Sequence, residues 1–334
     1  MVKLLITSYY GLRESLQSAT NSLIKYGIIV VDFGLLKLYK STEISDENKK
    51  LEFNNFIKKE QPDIILWWYI NIPVEHMKYI VEDEDNSHIK HFYFNWDDPH
   101  NWSTNKLYER CKYFDHSFVC CEQSLPKYLE FGSKKASYLL PGYDPQIHKI
   151  IVFDDEKDVK KYSCDISFCC TNLYTDNNTF PNQYINRKEL INNIYANQDK
   201  YGFTFHIYGP ESLKELYPKS YKGYIRYDET NKLFNYSKIN ICTHVQCCAY
   251  KYLNERALLI LGSGGLLYVD KVDGIETILE PSVDCVIIDK DNYLEQIRTI
   301  LNNYDDYYMV RYNGHAKSIE YTWDKWANKI NDAK

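Results

Sequence analysis

Apolar residues along this chain come in short unbroken runs, separated by stretches in which they recur every three or four positions. An unbroken run bounded by turn residues is the pattern of a strand buried on both faces, and the wider spacing marks one side of a helix. In the first half the runs predict strands over 3–7, 28–33, 63–69, 91–95, 116–120 and 136–140. Helices are predicted between them over 15–26, 52–59, 74–81, 105–111 and 124–131. The first helix carries Leu16, Ala19, Leu23 and Ile24 on one side and stops at Gly27. Strands alternating with helices, without an internal repeat, indicate a parallel sheet covered on both faces.

Pro141-Gly-Tyr-Asp-Pro145 and the charged segment 154–161 read as a linker, after which the rhythm restarts. Strands are predicted over 165–169, 203–208, 238–242, 266–269 and 284–289, with helices over 187–196, 228–236, 254–261 and 292–302 and another within 304–329. A chain of 334 residues exceeds one typical domain of about 150. The expected organisation is therefore α/β, with two Rossmann-like domains over 1–145 and 146–334 whose parallel sheets face a central cleft. Within the second half, helix 254–261 runs through Gly262-Ser-Gly-Gly265 into a strand. Glycine has no Cβ, so such a turn lets backbone approach a ligand closely. The same pattern is also an ordinary helix–strand loop.

Composition narrows the function classes. The net charge is −6, the pI about 5.9, and there is no long basic run, which argues against duplex nucleic acid as partner. The ten cysteines form no CxxC pair. The doublets Cys120-Cys121, Cys169-Cys170 and Cys247-Cys248 are poorly spaced for tetrahedral zinc. The N-terminus opens directly on a strand, without the apolar core of a signal peptide, and no apolar stretch approaches the ~18 residues of a membrane span. Reduced thiols in the cytoplasm (a host's, were the chain viral) are the simplest reading.

Several short pieces, in this order, resemble the GT-B glycosyltransferases, specifically the group similar to the spore-maturation protein CgeB within the broader family 1- and 4-like enzymes. They are Cys164-Asp-Ile-Ser-Phe168, Ile207-Tyr-Gly209, Tyr221-Lys-Gly-Tyr-Ile225, Ser237-Lys-Ile-Asn-Ile241 followed by His244, and Asn254-Glu-Arg256 leading into Gly262-Ser-Gly-Gly265. Glu320-Tyr-Thr-Trp323, Phe94-Asn-Trp-Asp-Asp-Pro99 and Leu140-Pro-Gly-Tyr-Asp144 fit as well. The resemblance implies transfer of a sugar from a UDP- or GDP-linked donor, held by the C-terminal domain, to an acceptor hydroxyl entering from the N-terminal one. It implies neither a metal nor a cofactor beyond the donor substrate, and a last helix, near Trp323 and Trp326, that packs back on the first domain. Tyr224 and Ile225 match the positions that hold the nucleotide base through backbone contacts, and Gly209, Gly264 and Gly265 the glycines of the donor loops. Two departures stand out. Leu259 occupies the place of a ribose-binding glutamate, for which Glu255, one turn earlier, is a substitute. Cys169-Cys170 stands where a glycine is more usual.

The candidate chemistry agrees with this. A diphosphate needs N–H donors at a helix start and a guanidinium that can bind it bidentately, which nominates Arg256 and then Lys251. Arg256 also reads as a plain surface residue of its helix. His244 closes a strand at the ligand-binding edge and is a candidate for phosphate or a sugar hydroxyl, or a structural histidine; Asp270 is placed similarly. Inverting transfer needs a general base, and Asp97, His100 and Asp98 lie just past a strand's C-terminal end, where open α/β sheets place ligands. Trp96 and Trp102 flank them as sugar platforms. Asp-Asp-Pro is equally an ordinary turn, and a retaining enzyme needs no such base. A catalytically inactive relative, binding nucleotide or glycan as a module, would show losses like Leu259 and Cys170. A phosphate-transferring or epimerising enzyme on the same scaffold is a further reading.

Overall fold

The computed structural model describes residues 1–173 and 183–334. They divide into two units, Met1–Gly142 with Trp323–Lys334, and Tyr143–Thr322. The division falls at Gly142, and the charged segment read as linker instead forms a helix, Glu156–Tyr162, inside the second unit.

The first unit is built on six parallel strands, β1 (Lys3–Ser8), β2 (Ile29–Gly34), β3 (Ile64–Trp67), β4 (Lys90–Asn95), β5 (His116–Val119) and β6 (Ala136–Tyr138), in spatial order β2-β1-β3-β4-β5-β6. Successive side chains of a strand point to opposite faces, and here both faces are covered. Leu4, Ile6, Leu66, Phe92 and Phe94 enter one core with Leu16, Ala19 and Leu23 of helix Glu14–Lys25. Leu5, Ile65, Trp67 and Tyr93 enter the other, with Phe53 and Ile57 of helix Asp46–Glu60 and Met77 and Ile80 of helix Val74–Val81. That double burial is why these strands read as continuous apolar runs. The first core is completed by the terminal helix Trp323–Asp332. Its Trp323 and Trp326 lie 5.9 and 5.8 Å from the Trp68 ring, with Trp326 5.2 Å from Phe94.

The second unit carries β7 (Cys164–Cys169), β8 (Phe205–Tyr208), β9 (Ser237–Cys242), β10 (Leu267–Val269) and β11 (Val286–Ile287), all parallel, in order β11-β10-β9-β7-β8. Ile166, Phe168, Ile239, Ile241 and Tyr268 pack with Leu190, Ile191 and Ile194 of helix Arg187–Tyr201 and Ile297 and Ile300 of helix Tyr293–Asn302. Among the described residues, no helix is long and apolar enough to cross a membrane.

The glycine turn lies elsewhere than expected. Helix Glu255–Gly262 runs back along the sheet, so Gly264 and Gly265 sit where the chain enters β10, opposite the edge at which parallel strands end. Eight residues at 1.5 Å each put that turn roughly 12 Å from the helix start. Both glycines are buried. A Cβ on Gly264, whose φ is +73°, would lie 2.6 Å from Ile150, and one on Gly265 2.6 Å from the Phe234 carbonyl oxygen. These glycines serve close packing, and Gly264 and Gly265 are withdrawn as donor-binding residues.

Candidate active site

In the second unit the ends of β7, β8, β9 and β10 bring Cys169-Cys170, Gly209, Thr243-His244 and Asp270 to one edge. The start of helix Glu255–Gly262 joins them through Asn254. Its Oδ1 accepts from the Ala257 N–H at 3.3 Å, capping the helix, and its Nδ2 donates to the Thr243 carbonyl at 3.1 Å. The cap thus ties the helix start to the end of β9. Asn254→Ala should destabilise the protein by about 1 kcal/mol, the usual worth of such a cap, read as a lower urea midpoint at unchanged slope.

Arg256, in the first turn, places its guanidinium 5.9 Å from the Phe168 ring centre and hydrogen-bonds the Cys169 thiol. Arg187, buried at the start of its own helix, donates to the Thr243 hydroxyl and carbonyl, both at 2.6 Å, and to the Asn172 carbonyl at 3.0 Å. The two guanidiniums lie close enough to β7 to oppose the burial that pushes the Cys170 thiol up to about 11. The cysteines therefore stay neutral, and the strand edge carries net positive charge. Gly209 fits here for steric reasons, since a Cβ would run into the Cys170 carbonyl and come within 2.7 Å of Leu213. Its N–H donates to the Gly223 carbonyl at 3.0 Å, which lays 220–223 beside β8 and brings Tyr224, exposed, and Ile225, buried, to the same end. Glu255 is half-buried in the first turn, while Leu259 one turn on is buried. Lys251 lies in the loop before the helix, in a left-handed conformation with φ +63°, its N–H bonded to the Asp273 carbonyl at 2.7 Å.

His244 and Asp270 form a fully buried pair. Nδ1 and Oδ1 are 2.5 Å apart, and Oδ2 accepts from the His244 N–H at 2.9 Å. The opposite ring nitrogen, Nε2, is buried with no hydrogen-bond partner among the described residues. Asp270 fixes the ring orientation and leaves Nε2 as the buried nitrogen without a protein partner among those residues.

In the first unit, the C-terminal ends of β1, β3 and β4 enclose a cavity of about 210 Å³ lined by Trp96, Asp97 and His100 together with Tyr9, Tyr69 and Asn71 among others. Asp97 is solvent-exposed, yet enough protein surrounds it to push its pKa up to about 6; water at its exposed oxygens works against that rise. Burial lowers the pKa of His100, which favours its neutral form. Asp98 and Trp102 lie outside the cavity. Asp98 is buried, accepts from the Tyr128 hydroxyl at 2.9 Å, and is pushed up to about 6 by desolvation against the pull of Ser124 and Tyr128. Trp102 is buried edge-on against Tyr128 at 4.9 Å. Tyr9, Trp68 and Asn71 had escaped the sequence reading. The available signal was position, since Tyr9 and Asn71 follow the ends of the strands predicted over 3–7 and 63–69 and Trp68 stands in the last residues of the second. Among the described residues, no group of three or more His, Cys, Asp or Glu side chains is placed to hold a metal ion.

Comparison with known proteins agrees with this architecture. Residues 187–332 match the profile of a family described as glycosyl transferase-like. Sucrose-phosphate synthase from Thermosynechococcus elongatus superposes with a TM-score of 0.71 at 12% identity, covering 99% of this chain and 98% of that one. Anabaena HepE in complex with UDP-glucose gives 0.67 at 11%, covering all of both chains. A glycosyltransferase from Rickettsia africae gives 0.65 at 12%, covering 99% and 97%. The chain has the GT-B fold, and most of its second unit carries the glycosyl transferase-like match. No curated protein sequence matches it significantly. In this GT-B fold the capped helix start in the second unit and the open cavity in the first each stand at the C-terminal edge of a parallel sheet, where such sheets bind their ligands.

Proposed function

We propose that the protein moves a sugar from a UDP- or GDP-linked donor to an acceptor hydroxyl without a metal ion, with the donor on the second unit and the acceptor on the first. The observation that carries this is Arg256 in the first turn of a capped helix, with Arg187 behind it at the end of β9. As the bond from the sugar to the diphosphate breaks, negative charge collects on the leaving oxygens. A guanidinium and N–H groups already pointed at that place stabilise it without reorganising. His244, fixed by Asp270, offers Nε2 to a sugar hydroxyl. HepE supports the uridine choice, since it is a GT-B neighbour with UDP-glucose bound. Asp97 is the base if transfer inverts the anomeric centre. The ten free thiols fit a reducing compartment, and we place the enzyme in the cytoplasm.

Titration calorimetry with UDP, GDP and UMP, each with and without EDTA, tests the donor half. A diphosphate should bind at least tenfold more tightly than UMP, with no loss of heat in EDTA. Binding that disappears with the chelator would overturn the metal-independent part.

A further inference from the structure

The first unit's cavity continues past Trp96. The lobe with Asp97 and His100 is polar, edged by Asn71, Asn101 and Asn105. Beyond it a second lobe of about 360 Å³ reaches Tyr10, Gly11, Arg13 and Leu16 at the start of helix Glu14–Lys25. The two lobes share one wall made of Tyr9, Trp68 and Trp96. That wall is braced: Trp96 meets Trp68 edge-on at 4.9 Å, and Tyr9 lies 5.1 Å from Tyr69. Ring surface is left open to a ligand, since Tyr9 is 40% and Tyr10 44% exposed and Trp96 is half-buried. The polar rim is held too, because Asn95 and Asn101 exchange two amide hydrogen bonds of 2.8 Å.

This is an aromatic wall next to a row of amides and a carboxylate. A ligand filling both lobes must present a flat C–H face and a rim of hydroxyls. A hydrocarbon chain would cover the wall but leave the amides and Asp97 dehydrated and unpaired, a costly outcome. A pyranose ring satisfies both. Size sets the length: the polar lobe alone lies below the ~300–1,000 Å³ of pockets that enclose drug-sized molecules, and the two lobes together lie within it. We propose that the acceptor is a carbohydrate of at least two rings, its reacting ring in the polar lobe and the next ring against the aromatic wall. The proposal rests on the first unit being the acceptor side, and it adds what the acceptor is.

The test is a tryptophan-fluorescence titration of the full chain, without nucleotide, in which Trp68 and Trp96 act as reporters. The probes are methyl glycosides of glucose, galactose and N-acetylglucosamine and the matching disaccharides. At least one disaccharide should bind tenfold or more tightly than its monosaccharide. Tyr10→Ala, an exposed position that leaves the fold intact, should erase at least fivefold of that advantage and leave the monosaccharide affinity unchanged. Trp96→Ala should weaken both. Equal affinity for one and two rings, a Tyr10→Ala variant with its advantage intact, or the absence of any saccharide signal would overturn the proposal, as would competition by decanol for the same site. UDP binding is measured separately on the second unit's site, so its failure would strike the donor reading and not this one.

Discussion

Asp97→Asn should lower turnover by about 10²–10⁴, the usual contribution of a positioned base, and leave UDP affinity unchanged. Of the three polar residues after β4, Asp97 alone combines a carboxylate with access to solvent and to the cavity. Asp98 is enclosed and committed to Tyr128, so Asp98→Asn should act on stability before it acts on catalysis. His100 lines the cavity, and its lowered pKa leaves it neutral at pH 7, which makes it the second base to remove. The sign of the pH dependence follows from the direction of the Asp97 shift. Its pKa is raised, to about 6, so the ionised form that can take a proton is lost as pH falls through that value. Wild-type kcat should rise with pH and level off above about 7, and Asp97→Asn should lose that limb. If Asp97→Asn and His100→Ala each keep full turnover, no base in this loop drives the reaction, and inversion by this route is wrong.

The parallel sheets were legible because burial on both faces writes itself as unbroken apolar runs, as in Ile64–Trp67 and Lys90–Asn95. Asp97 and His100 were legible because they follow such a run. What escaped was everything decided by which strand lies beside which. His244 and Asp270 are 26 residues apart and meet only because β9 and β10 pair with Cys242 opposite Val269. Tyr9, Trp68 and Trp96 share a wall because β1, β3 and β4 are neighbours. Trp102 looked like Trp96 in sequence, but the chain turns it into the core against Tyr128. The glycine turn after Leu261 misled for a related reason. Its freedom is local and visible, whereas the end of the sheet it occupies depends on the direction of the helix before it. A crossover helix begins at the ligand edge and ends away from it, so Asn254 and Arg256, and not Gly264, were the residues to weigh. The helix over 46–51 was missed because its first turn is polar, although Ser45 caps it by accepting from the Asn48 N–H. The short helix Leu35–Lys40, directly after Gly34, has too few residues to show a period.

Arg256→Ala should weaken UDP binding about 10–150-fold, the equivalent of ~1.5–3 kcal/mol for a charged hydrogen bond. The site it occupies explains the size. The guanidinium lies against Phe168 and the Cys169 thiol at the end of β7, partly removed from water, so a phosphate bound there is screened less than at an open surface. Arg187 cannot take over. Its Nε and both terminal nitrogens are engaged with Thr243 and Asn172, and moving it would free the end of β9. Arg256→Lys should recover only part of the loss, because an ammonium supplies the charge but not the planar fork that grips two oxygens at once. Lys251→Ala should cost less than Arg256→Ala, since Lys251 sits in the loop rather than on the helix start and its ammonium rests 5.5 Å from the Tyr250 ring. Calorimetry on the three variants orders these effects. A UDP affinity unchanged in Arg256→Ala would remove Arg256 from the site and leave the diphosphate to the helix start and His244 alone.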